Sequence, residues 1–374
     1  MRTATSFLAA AGLVLAAACN DPSTPTGPAP SADLVRGGGA VHVSVMSRNL
    51  YIGFDADAAV AALASGDPAV YGPVLQASIA TLMNTDFHVR ARVIAEEIAR
   101  TRPDAVGVQE AYLMQVDLSA LGGSGTIDLD YVAILQAALA ERHLPYQLVA
   151  TLVDTDMQPL PGVRIVDREA LFVDASRVQV GPGVIARTFQ YNIGPIAPGI
   201  DKKAGYIVAP VTIEGMSVTL ATTHLESDLG PGTYDLVAPL RYAQAAEIAA
   251  VIGAVPKAVI VGDLNDVVGS LMYQALTGAG FTDTWAALRP RDPGLTDNCF
   301  APDLADRSAH CVKRIDFVFA RGLEHPRAGL LGEALLVGVQ PWERVQGPAG
   351  WLWPSDHAGV VGDFVVPPAT GLRN

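Results

Sequence analysis

Cysteine is scarce in this chain: three in 374 residues, at positions 19, 299 and 311. That excludes a thiolate-built zinc or iron–sulfur centre, which needs clustered pairs. Base is outnumbered by acid, 25 Lys and Arg against 38 Asp and Glu, for a net charge of -13. This argues against tight nonspecific binding to nucleic acid, which is driven by phosphate neutralisation. It leaves room for an enzyme that meets a polyanion briefly through bound metal ions. The apolar run over residues 7–18 is too short to span a bilayer, and no other hydrophobic stretch is long enough.

That one run belongs to a processing segment. Residues 1–19 begin Met-Arg, continue apolar from Phe7 to Ala18 and end at Cys19, the pattern of an export signal with small residues before the cut. Ala16-Ala17-Ala18-Cys19 also resembles a bacterial lipoprotein processing site, although Ala16 stands where Leu is usual. The expectation is an exported protein, lipid-anchored to a bacterial cell envelope through Cys19 or secreted, with the membrane as a partner only through that anchor. Residues 20–40 are rich in Pro, Ser, Thr and Gly and read as a disordered tether. A folded domain over 41–366 follows, then a tail, 367–374. Half of the chain is apolar, and about 330 residues with no second linker and no repeat can bury one large core. The reading is a monomer.

The folded part alternates strands and helices. Val41, Val43 and Val45 alternate with polar or small residues in a strand ending at Asn49. Asp86–Arg100, Asp130–Arg142, Arg241–Ile252 and Ser270–Thr277 read as helices. Ala105–Val108, Glu169–Val173, Ala258–Val261, Ile315–Phe319 and Val360–Val366 read as strands, and Gly205–Ile213 with Met216–Leu225 as a hairpin turning at Glu214-Gly215. Hairpins mixed with single helical crossovers predict sheets packed face to face with helices outside.

Several strands end by placing an acid, an amide or an imidazole where the chain must turn: Asn49, Gln109-Glu110, His224, Asp263-Leu264-Asn265, Asp316 and Ser355-Asp356-His357. This oxygen-rich set suits a hard ion, Mg²⁺ or Mn²⁺. Glu110 is the leading ligand, with Asn49 beside it and Asp356 near. Asp263 can orient a water while the Asn265 amide steadies a phosphoryl oxygen. His357 can meet developing charge, with Asp316 fixing its tautomer. Each motif alone has a plainer explanation: Asp-x-Asn is commonly a turn former, and His224 a buried core imidazole. Together they point to a metal-assisted phosphoesterase, because unpaired polar groups at strand ends are otherwise expensive. His42, His88, His143, His310 and His325 match no motif.

In this order the motifs, with Thr223-His224-Leu225 and Arg314-Ile315-Asp316, resemble the endonuclease/exonuclease/phosphatase superfamily, over roughly residues 41–366. The resemblance implies a four-layer α/β sandwich, two packed mixed β-sheets flanked by helices. It also implies a divalent ion at Glu110, with Asp356 near it, and a hydrolytic core of His224, Asp263, Asn265 and His357, with Asp316 behind His357. The His224 string looks more like the sphingomyelinase and phosphatase branches than like exonuclease III. No Gly-Asn-His string occurs, against a calcineurin-type phosphatase. Arg168 is a candidate phosphate contact, or equally a surface ion pair. Cys299 and Cys311 are expected to form a disulfide in an oxidising compartment.

Three functions fit: an exported phosphodiesterase or phosphomonoesterase for a small or lipid-linked phosphate, a secreted nuclease, and a catalytically inactive surface binding module. Substrate choice is expected in loops 111–129, 226–240 and 286–312.

Overall fold

The computed structural model describes residues 39–230, 232–324 and 329–367. The expected export signal, Cys19 and nearly all of the tether lie outside the described residues, as do His325 and the tail beyond 367.

Among the described residues the strands build two large mixed sheets. The first runs, in spatial order, Gly332–Val337, Gly359–Val366, Val41–Asn49, Ala105–Gln109, Val163–Asp174, Leu113–Asp117 and Thr126–Asp130, with Tyr146–Leu160 also paired to Val163–Asp174. The second runs Thr282–Asp283, Asp316–Arg321, Ala258–Asp263, Met216–His224, Gly205–Ile213 and Val178–Val180, with Ile185–Thr188 also on Gly205–Ile213. The central strands of both are apolar on both faces because each face is covered. Val43, Val45, Leu171 and Val173 of the first sheet bury against Ile207, Leu220, Val259 and Val261 of the second. Each such side chain contributes roughly 1.5–3 kcal/mol when fully removed from water.

Helices cover the outer faces. Phe87–Thr101 turns Phe87, Ala91, Ile94, Ala95 and Ile98 inward at helical spacing, and Asp86 caps it by accepting from His88 N–H. With Tyr131–Glu141 it covers the first sheet. Tyr234–Ile252 and Leu271–Gly278 cover the second. The result is the expected order of helix, sheet, sheet, helix. At Gly107 the sheets pack without room for a side chain: a Cβ there would lie 2.4 Å from Thr222 Oγ1 and 2.5 Å from Val261 Cγ2. Only glycine lets the strand ends beyond it meet.

Most differences from the sequence reading are extensions. The strand expected over Glu169–Val173 runs Val163–Asp174, since its charged residues hid the alternation. The helix expected from Arg241 begins at Tyr234 and carries Pro239 inside it, which costs one backbone hydrogen bond near its start. Residues 111–129 are not one loop but hold the strands Leu113–Asp117 and Thr126–Asp130. Helices Ala56–Ala64 and Pro68–Thr85 were not anticipated.

Cys299 and Cys311 form a disulfide with a sequence separation of 12. Around it the segment is held by backbone bonds: Cys299 N–H donates to Asp356 C=O at 3.0 Å, and Ala358 N–H to Thr296 C=O at 2.8 Å. Cross-linking a ring of this size is worth roughly 3 kcal/mol in the chain-entropy model. Replacing both cysteines by serine should lower the denaturation free energy by about that amount. A double variant unfolding at the wild-type denaturant midpoint would refute the stabilising role.

Candidate active site

The register of the second sheet assembles half of the site. His224 stands opposite Asp263 on the parallel neighbour, and Asp263 opposite Asp316 on the antiparallel one. In the first sheet Asn49 stands opposite Gln109, which leads into Glu110. Glu110 and Asn265 both take positive φ, 55° and 50°. Asn tolerates this conformation, whereas for Glu it is strain held by the surroundings. Glu110, His224, Asp263 and Asn265 line one cleft of about 1520 Å³ together with Asp356 and His357, while Asn49, Gln109 and Asp316 are buried behind it.

Two hydrogen-bonded sets meet there. His357 Nδ1 lies 2.8 Å from Asp316 Oδ2 and 3.8 Å from Asp263 Oδ2. Burial alone would lower the His357 pKa, but Asp316, Asp356 and Asp263 together raise it well above the ordinary value. On the other side Asn265 Nδ2 sits 3.0 Å from His224 Nε2 and donates to Leu225 C=O at 2.8 Å, while Asn265 N–H donates to Asp263 Oδ1 at 3.0 Å. Asn265 therefore sets its amide against Leu225 C=O and the His224 ring, and the phosphoryl contact expected from sequence calls on that same amide. Thr296, between the two sets, accepts on its hydroxyl from the N–H groups of Ile315 and Asp316.

Glu110 accepts from Asn49 Nδ2 on Oε1 and from Ile52 N–H on Oε2, both at 2.9 Å. Burial and the Asp356 carboxylate push its pKa up to about 7, with His224 opposing. Asn49 was expected as a metal ligand. Its amide oxygen instead accepts Tyr51 N–H at 2.8 Å, and its Nδ2 bridges Glu110 and Asp263 Oδ2, the latter at 3.1 Å. Asn49 thus ties the two carboxylates together, and Tyr51 N–H takes one of the two lone pairs of its oxygen. Ligand atoms of Asp263, Asp316 and His357 lie within 4.8 Å of one another. The Asp316–His357 hydrogen bond already occupies that space; Glu110 and Asp356 line the cleft without a basic side chain bonded to either.

Of the two readings of Arg168, phosphate contact or ion pair, the geometry favours the second. Its guanidinium donates to Ala111 C=O at 2.9 Å and to Tyr112 C=O at 3.2 Å, and pairs with Asp130 Oδ1 at 2.5 Å. It holds a neighbouring turn through that pair. Sequence reasoning passed over five acids: Asp297, whose Oδ1 is 3.8 Å from His357 Nε2, and Asp154, Asp167, Glu169 and Glu226. A signal existed for two of them. Glu226 follows His224 by two residues, and Glu169 directly follows Arg168.

The profile of the Endonuclease/Exonuclease/phosphatase family matches residues 82–357. The chain belongs to this family. Its fold is similar to that of an endonuclease/exonuclease/phosphatase from Beutenbergia cavernae DSM 12333, at 19% identity, covering 87% of this chain and 72% of that one, with a TM-score of 0.53. It is similar also to a family protein from Bacteroides thetaiotaomicron, at 17% identity, 87% and 95% coverage and a TM-score of 0.53. D. rerio TDP2 complexed with a single-strand DNA product is a third, at 17% identity, 86% and 98% coverage and a TM-score of 0.50. Such identities show the fold alone. No curated protein sequence matches. Members of the endonuclease/exonuclease/phosphatase family are hydrolases of phosphodiester bonds and generally depend on a divalent metal.

The 2.8 Å bond between His357 and Asp316 predicts that they act as one unit. Asp316→Ala and His357→Ala should each cost about as much turnover as the double variant. Rate losses that multiply in the double variant would show the two to be independent.

Proposed function

We propose that this chain is an exported, divalent-metal-dependent phosphoric ester hydrolase acting on a small or lipid-linked phosphate. One observation carries the reading. Asp263, His224 with Asn265, and the Asp316–His357 pair converge from neighbouring strand ends on one cleft that also holds Glu110. A chain keeping the fold only as a binding surface has no need of so many buried titratable groups there.

The donor set fits a hard ion. Glu110 and Asp356 are half-buried carboxylates without a basic side chain bonded to either, and desolvation followed by Asp356 raises the Glu110 pKa, so a cation held by the pair would relieve an electrostatic cost. Oxygen donors without thiolate favour Mg²⁺ or Mn²⁺. When bound, the ion supplies Lewis acidity at a phosphoryl oxygen. Asp263, steadied by Asn265 N–H and Asn49 Nδ2, orients a water and takes its proton. His357, kept protonated by Asp316, donates to a phosphoryl oxygen as negative charge grows there. His224, held by Asn265, lies on the opposite side of Asp263 and fixes the phosphoryl group from there.

A nuclease is the second reading, because D. rerio TDP2, complexed with a single-strand DNA product, shares the fold. The net charge of -13 weighs against it. Hydrolysis of DNA, sphingomyelin, inositol phosphates and nucleotides, each with and without chelator, separates the two.

Chelation should abolish hydrolysis and Mg²⁺ or Mn²⁺ restore it; full turnover in excess chelator would remove the metal from the mechanism. Asp263→Asn should lower kcat by roughly 10²- to 10⁴-fold at an unchanged melting temperature. Near-normal turnover in that variant would move the base elsewhere, with His224 next in line.

A further inference from the structure

Beyond the catalytic groups, on the His224 side of the same cleft, lie four more acids: Asp154, Asp167, Glu169 and Glu226. Three of the four are almost wholly buried, Asp154 at 5% exposure, Glu169 at 0% and Glu226 at 1%. The topology forces them together. Asp167 and Glu169 alternate onto one face of Val163–Asp174, whose partner strand carries Thr155 opposite Asp167 and Leu152 opposite Glu169. The pairing slips between Val153 and Thr155, so Asp154 is the extra residue of a bulge. Such bulges re-aim a side chain, and here Asp154 lines the cleft with Asp167 and Glu226. Glu169 reaches across to the second sheet, where its Oε1 accepts His224 N–H at 2.9 Å. Glu226 follows two residues later and accepts Ile193 N–H at 3.1 Å on Oε1.

Those bonds leave much of the set unanswered. Both oxygens of Asp154, Oδ1 of Asp167, Oε2 of Glu169 and Oε2 of Glu226 are buried with no hydrogen-bond partner. The nearby cation is Lys202, whose Nζ is 3.9 Å from Glu226 Oε2 and donates to Ser227 Oγ. Lys203 turns away to Asp201 at 2.8 Å. One ammonium faces four carboxylates. An uncompensated buried carboxylate is among the most costly groups a fold can carry, and Asp154 has neither a donor nor an ion pair. Among the described residues, no three of these acids close to the 4.8 Å spacing that unites Asp263, Asp316 and His357. The opening suits an ion that binds through one or two carboxylates and keeps part of its water shell.

We infer that Asp154, Asp167 and Glu226, one or two of them directly and the rest through the ion's own water shell, with Glu169 behind them, hold a hard divalent cation at a second site, separate from the one proposed at Glu110 and Asp356. Its ligands come from both sheets: Asp154 and Asp167 from the first, Glu226 from the segment that follows the His224 strand of the second. The cation therefore clamps the sheets together beside His224 and neutralises the wall of the cleft there.

The test counts ions and does not depend on turnover. The full chain, stripped with chelator, is titrated with Mn²⁺ followed by electron paramagnetic resonance and with Ca²⁺ followed by calorimetry, alongside thermal melts. The wild type should bind two equivalents, Glu110→Gln one, and Asp154→Asn or Glu226→Gln one. In Glu110→Gln the added ion should still raise Tm by several degrees; in Glu110→Gln combined with Asp154→Asn it should not. Asp154→Asn is isosteric and removes only charge, so it should fold, and its melt in chelator checks this. One equivalent in the wild type, abolished by Glu110→Gln, overturns the second site. So does an unchanged count in Asp154→Asn and Glu226→Gln. Should Asp154→Asn melt higher in chelator at an unchanged count, protons neutralise the cluster and the inference falls. An unchanged count in Glu110→Gln, with loss in Asp154→Asn, would keep this site and sink the catalytic one at Glu110.

Discussion

One buried amide holds the two halves of the site in register. Asn49 ends a strand of the first sheet, yet its Nδ2 bonds both Glu110 of that sheet and Asp263 of the second. Its oxygen is fixed by Tyr51 N–H and its backbone carbonyl by the Ser355 hydroxyl. Two carboxylates facing each other in a dry interior repel, and a neutral donor placed between them is the smallest group that offsets this without adding charge. The distance between the groups read as metal-binding and water-orienting is thus set by one side chain. A carboxylate at position 49 would add to the repulsion, and an aliphatic residue would leave each acid with only its backbone donor, Ile52 N–H on Glu110 and Asn265 N–H on Asp263.

The same economy recurs around the loop that carries His357. That loop has no regular structure of its own, so its position must come from what grips it. Arg48 pairs with Glu97 through two bonds of 3.0 Å and gives its third to His357 C=O at 2.6 Å. Arg90, fully buried, has no carboxylate bonded to it and instead gathers the carbonyls of Leu50, Tyr51, Thr85 and Pro354. Guanidinium suits this work because its five donors are fixed in one plane. From the other side the disulfide-closed segment binds Asp356 and Ala358 through the backbone. Packing of the helix Phe87–Thr101 on the first sheet is therefore linked to the imidazole of His357 by a short chain of charge-assisted bonds.

What could be read from sequence followed from burial. Strands such as Ala258–Asp263 and Met216–His224 are apolar runs that stop at a polar residue, so both their type and the group they deliver were legible. Val163–Asp174 was legible only over its last part, because Arg164, Asp167, Arg168 and Glu169 interrupt it, and the burial of Glu169 exists only once the second sheet covers it. The helix Pro68–Thr85 buries just Leu82 and Thr85 and contains Pro73, so no apolar stripe announces it. Within the site, residue identities were legible but directions were not. Whether Asn265 faces substrate or His224 is decided by Leu225 C=O, and whether Arg168 is free for phosphate is decided by Asp130, 38 residues away.

The electrostatics of the cleft bring these threads together. A phosphate ester is an anion, and Asp263, Asp297, Asp356, Glu110, Asp154, Asp167 and Glu226 line the space it must enter, against Lys202, Lys203 and Lys313. Two like unit charges about 4 Å apart near a protein surface repel by on the order of 4 kcal/mol, so several such pairs would exclude the substrate altogether. The scaffold cannot supply the missing positive charge, since Arg48, Arg90, Arg168 and Arg241 are committed to internal bonds. On the proposed function, bound cations supply it beside the His357 imidazolium. Substrate entry is then joined to metal binding, and the surplus of acid over base becomes a working part of the site.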